Sequence, residues 1–128
     1  MVYVQIALLL VSLGLLGVFL QSTLYHYRGR FRAWQMWVPV IETPIFALLF
    51  ILSAFSVIIA GWTLYLSIVP IISGMLGVYY HYKGIKFLTG GFNLDNVLLG
   101  PPIILPLMVT ILPMIGAAVI AIVIYGFI

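Results

Sequence analysis

Residues 2–25 read VYVQIALLLVSLGLLGVFLQSTLY, with no charged side chain among them. A membrane-spanning helix needs roughly 20 predominantly apolar residues, and this run exceeds that. Three further runs of the same kind follow, giving expected spans at about 2–25, 39–60, 63–82 and 101–127. Of the 128 residues, 66% are hydrophobic and 5% charged. A soluble domain carries about 25% charged residues, so this chain cannot cover itself in water and its solvent is lipid. The sequence therefore predicts an all-α integral membrane protein, a four-transmembrane-helix bundle forming a single domain over 1–128. No Lys or Arg precedes the first run and no small-x-small cleavage site follows it, so it reads as a retained helix rather than a signal peptide.

The charges sort by loop. Arg28, Arg30, Arg32, Lys83 and Lys86 all fall after the first or the third span, and neither terminus carries a charged side chain. Positive-inside asymmetry then puts the basic loops 26–38 and 83–100 in the cytoplasm and both termini outside the cell membrane. Tyr25, Tyr27, Trp34, Trp37, Tyr79, Tyr80 and Tyr82 cluster at the basic side, and Tyr3, Trp62, Tyr65 and Tyr125 at the other, as interfacial aromatics do. The Gly61-Trp62 pair reads as a very short turn between the second and third spans. Pro39, Pro101 and Pro102 read as helix starts, where a missing N–H is harmless. Pro44, Pro70, Pro106 and Pro113 lie within spans and predict kinks.

The chain also repeats itself. His26-Tyr27-Arg28-Gly29 is echoed by His81-Tyr82-Lys83-Gly84, and Gly14-Leu15-Leu16-Gly17 by Gly74-Met75-Leu76-Gly77. The expected halves are 1–61 and 62–128, two helical hairpins in parallel orientation about an axis along the membrane normal. The histidine motifs are 55 positions apart and the glycine motifs 60, so the halves differ by five residues between them.

Few residues can carry chemistry. There is no cysteine, which excludes disulfides, thiolate zinc, iron–sulfur clusters and a thiol nucleophile. His26 and His81 are the only histidines and end the first and third spans. A two-fold repeat would bring them together, and neutral imidazole is a ligand for haem iron. Gly74, Gly77 and His81 share a helix face, where the glycines would leave a flat surface for a b-type haem or pigment, with Arg28 and Lys83 as propionate partners. On the other side, histidine beside tyrosine is common in an interfacial belt, and glycines at this spacing let helices approach. For any other metal, two histidines with no acid nearby make an incomplete site.

Glu42 is the only acid near a span. It would serve a proton relay, an ion site or a quinone contact. Alternatively, it sits in the first turn of a helix opened by Pro39, facing the helix dipole or pairing with a loop arginine. Arg28, Arg30, Arg32, Trp34 and Trp37 suit a segment at headgroup level that touches anionic lipid or a protein partner. No nucleophile, base and acid come together, so the chain is not expected to be an enzyme on its own.

These readings favour an accessory or anchor subunit of a larger, energy-transducing membrane complex, in contact with lipids and other membrane subunits, with haem b at His26 and His81 as one version. A small homo-oligomeric transporter or channel using Glu42 is the first alternative, and a lipid- or partner-binding module using the 28–37 loop the second. The net charge of +3 is too small to imply nucleic acid.

Overall fold

A computed structural model describes residues 1–126. Its helices are α1 (Val2–Arg28), α2 (Trp37–Ser53), α3 (Val57–Leu66), α4 (Ile68–Thr89), α5 (Leu94–Leu99) and α6 (Ile104–Ile124), with a 3-10 turn over Trp34–Met36 leading into α2. No strand occurs among the described residues. α3 and α4 form one bent span, Val57–Thr89, so four helical segments are long and apolar enough to cross a membrane. The chain is a multi-pass, four-helix membrane bundle. The last residue of the expected fourth span, 127, lies outside the described residues.

The helices close into a ring, in which α1 packs between α2 and α6, α3 against α2 and α6, and α4 mainly on α6. One face of α1 sets the seam: Leu8, Val11, Ser12, Leu15, Val18 and Ser22 are buried at spacings of three and four. Leu8, Val11 and Leu15 among them meet Phe46, Ala47 and Phe50 from α2, Ala54 just beyond its end, Ala60 from α3 and Ile120 from α6. Lipid tails are as apolar as these side chains, so close packing and interhelical hydrogen bonds hold the helices together rather than exclusion of water.

Hydroxyl groups supply those bonds. Ser53 Oγ donates to Thr63 Oγ1 at 2.9 Å, tying α2 to α3, and Thr110 Oγ1 donates to the Ile71 carbonyl at 3.2 Å, tying α6 to α4. Others satisfy themselves on the preceding turn, as Ser12 does on the Leu8 carbonyl at 2.9 Å. Gln21 alone of the Ser, Thr and Gln side chains in the four spans is exposed.

Several boundaries differ from the sequence reading. The second and third spans meet at Ala54-Phe55-Ser56, not at Gly61-Trp62, because the Ser56 side chain caps α3 by accepting from the Ile59 N–H at 3.4 Å. Gly61 is helical and lies within α3, so the 61/62 division falls inside a helix while the turn itself comes earlier. The third span continues to Thr89, which puts Lys83 and Lys86 on the helix rather than in a loop; Gly90, at φ 81°, ends it with a left-handed cap. The segment 90–100 is not all loop either: Asn93 caps the short α5 by accepting from Asn96 N–H at 2.9 Å. Pro70 accounts for the interruption between α3 and α4: it has no N–H for the Leu66 carbonyl and its ring crowds that group, while Ser67 keeps its own turn closed by donating to the Thr63 carbonyl from both Oγ (2.6 Å) and N (2.9 Å). Pro106 falls in the first turn of α6, where no helical bond is lost, and Pro44 and Pro113 stand inside α2 and α6.

Candidate functional site

One end of the bundle gathers the C-termini of α1 and α4 and the N-termini of α2 and α6, and with them every basic residue. Here His26 of α1 meets His81 of α4, their ring centres 6.5 Å apart and their planes inclined at 64°. The two histidines expected to face each other do so. The Nδ1 atom of each is buried and has no hydrogen-bond partner among the described residues. The main chain of Met36 lies near His26 and that of Pro102 near His81, the residues that lead into α2 and toward α6.

A strained turn closes this end. Arg30 and Phe31 have φ of 58° and 46°, a conformation rare for side chains of their size. The turn folds the chain back so that Phe31 lies edge-on to His26 at 6.2 Å and stacks on Trp37 at 4.0 Å. Arg28, Arg30, Arg32, Trp34 and Trp37 are exposed around it, the disposition of a headgroup-facing segment.

The glycine face of α4 is already filled. A side chain at Gly74 would stand 2.7 Å from Thr110 N and 2.9 Å from the Pro106 carbonyl, and one at Gly77 would stand 2.8 Å from Pro106 Cβ. The flat surface on which a macrocycle would rest belongs to α6. Lys83 Nζ lies 5.5 Å over the Tyr79 ring, on the exposed side of α4, in a cation–π contact rather than toward the histidines. The packing of α6 therefore leaves no slot for a haem on the glycine face of α4.

Glu42 takes neither of the two structural roles that the sequence allows it. α2 begins at Trp37, so Glu42 lies in the second turn and not the first, and it turns inward, with 9% of its surface exposed. Its partner is a hydroxyl: Ser73 Oγ of α4 donates to Glu42 Oε1. No basic side chain stands beside it among the described residues. Five residues of helix set Glu42 roughly 7–8 Å deeper than Trp37. Ser73, Gly77 and His81 follow one another at intervals of four on a single face of α4, so the Glu42–Ser73 pair lies below the histidine pair, roughly 12 Å along the axis. Ser73 is the residue that sequence reasoning passed over. Its i, i+4, i+8 relation to His81 places it on the same face but does not by itself pair it with Glu42.

A crevice opens at the far end of the bundle. It measures about 280 Å³ and is lined by Gln5, Ser53 and Ser56 together with apolar side chains such as Leu8 and Ile120. Between it and Glu42, α2 presents Phe46 and Phe50, both buried, with Phe50 against Gly116 of α6. The interior thus carries polar groups toward both ends and an aromatic plug between them. No family model, curated protein or solved structure matches this chain.

Proposed function

We propose that the chain conducts or exchanges protons across the membrane, with its basic end in the cytoplasm and Glu42 as the group that carries the proton. One observation supports this above all: an inward-facing carboxyl group inside the bundle, held by a hydroxyl and without a cation beside it. Ionisable groups at such depth are costly and generally functional. The site favours a proton over a metal cation, because Mg²⁺ and Ca²⁺ require about six or more oxygen ligands, while Glu42 and Ser73 offer three side-chain oxygens. The histidine pair stands on the cytoplasmic approach and the far crevice on the other, with Phe50 as the barrier that must move.

The test is a pH-gradient dye assay in proteoliposomes. Glu42→Gln keeps the size and the Ser73 contact and lowers proton flux at least about tenfold. Equal flux from both proteins, or wild-type flux no greater than that of protein-free vesicles, would overturn the reading.

A second reading, the anchor subunit of a larger complex, is favoured by the outer face of α1. A methyl group added at Gly17 there would meet no other side chain or helix within 4 Å among the described residues, and Gln21 is exposed one turn further on. A small residue beside a hydrogen-bonding side chain is the composition of a helix–helix interface in lipid. Native mass spectrometry of protein extracted from its own membrane separates the cases. Other subunits that are lost in Gly17→Leu support the anchor reading, and a chain emerging alone or only with copies of itself removes it.

A further inference from the structure

We propose that His26 and His81 hold a single cuprous ion between α1 and α4, ligated through their Nδ1 atoms. The proposal is independent of Glu42 and rests on the histidine pair. Nitrogen–metal bonds are about 2.0–2.1 Å long, so a metal held end-on between two opposed imidazoles sets their ring centres roughly 6 Å apart. The observed separation is 6.5 Å. Both Nδ1 atoms are buried without a hydrogen-bond partner, a costly state for a polar atom that a metal–ligand bond relieves.

Main chain lies near each ring, that of Pro102 near His81 and that of Met36 near His26, and a backbone carbonyl in that position is what ordinarily orients a metal-ligating histidine. Phe31, edge-on to His26 and stacked on Trp37, covers the pair from the basic end.

The donor set selects the metal. No group of three or more His, Cys, Asp or Glu gathers anywhere among the described residues. Structural zinc takes four ligands and magnesium or calcium six or more. Monovalent copper, with a filled d shell, is satisfied by two nitrogens in a near-linear arrangement, and imidazole is a donor that suits copper. In such an arrangement the rings rotate freely about the bond axis, so the 64° between their planes is no obstacle. The binding involves no change of oxidation state, since the ion enters and stays as Cu(I).

The test loads purified protein with Cu(I) anaerobically under ascorbate and challenges it with a cuprous chelator. Retained copper is counted by mass spectrometry, and its ligands are read by X-ray absorption at the copper edge. The expected result is one copper per chain with two nitrogen ligands, and retention reduced at least about tenfold in His26→Ala and in His81→Ala. Because the wild-type absorption spectrum reports the ligands directly, it remains decisive if either variant fails to fold. A wild type that holds no copper, sulfur ligands in its spectrum, undiminished retention in the double variant, or Zn(II) bound as tightly as Cu(I) would each overturn the assignment.

Discussion

Gly74→Ala is expected to be among the most disruptive single changes in the bundle, costing about 3 kcal/mol or more, the upper part of the range for overpacking. The added methyl group would stand 2.7 Å from the backbone nitrogen of Thr110 and 2.9 Å from the carbonyl of Pro106. Neither atom can rotate away, so α4 and α6 must separate, and the bond from Thr110 Oγ1 to the Ile71 carbonyl goes with them. Shortening the neighbouring side chain, as in Thr110→Ala, removes the nearest obstruction, Thr110 Oγ1, but leaves the two main-chain atoms in place, so it gives only a partial rescue. The loss of helix on titration with a denaturing detergent, followed by circular dichroism, measures the effect. A Gly74→Ala variant as resistant as wild type would mean that α4 and α6 do not meet at this point.

Gly116→Ala is expected to behave differently despite a similarly close contact. Here the new methyl group meets the Phe50 ring, whose Cζ and Cδ1 stand 2.6 and 2.9 Å away. Phe50 is fully buried, so the ring has no free space to enter and the cost is about 1–3 kcal/mol. A side-chain obstruction can be removed, however. Phe50→Leu alone leaves a cavity and destabilises, while the double variant regains most of what Gly116→Ala lost. A double-mutant cycle therefore gives a large favourable coupling at residues 50 and 116, and near-additive losses would contradict the contact.

The spans were legible because lipid imposes a length of apolar sequence that no loop can imitate. Their junctions were less so. The turn between the second and third spans is Ala54-Phe55-Ser56, as apolar as its flanks apart from one serine, whereas Gly61 advertised a turn and lies in a helix. The signal that mattered was a capping hydroxyl three residues ahead of the N–H from which it accepts, which is common by chance in sequence. The meeting of His26 and His81 was legible from the repeated His-Tyr-Arg/Lys-Gly element. The occupation of the glycine face was not, because Gly74 and Gly77 admit either a flat ligand or a helix, and only the path of α6 decides between them. For Glu42, Pro39 pointed to a helix start two residues later than the true one at Trp37. That shift turned an apparent first-turn acid into an inward-facing one. Ser73 could not be singled out from the other span hydroxyls without knowing which of them stands opposite the acid.

The bent third span has a consequence for where the protein can live. Its 33 residues, at 1.5 Å each, would extend about 50 Å if straight, against a hydrocarbon layer of about 30 Å. A kink at the interruption around Ser67, or a tilt of the whole helix, would absorb part of the excess, and at its far end Phe87 and Leu88 are 88% and 65% exposed. Mismatch between helix and lipid costs fractions of a kcal/mol per ångström and is met by tilting or kinking. Acyl-chain length thus acts on this molecule as a mechanical load. It falls on the segment that carries both Ser73 and His81, so a change in membrane thickness moves the partner of Glu42 and the partner of His26 together.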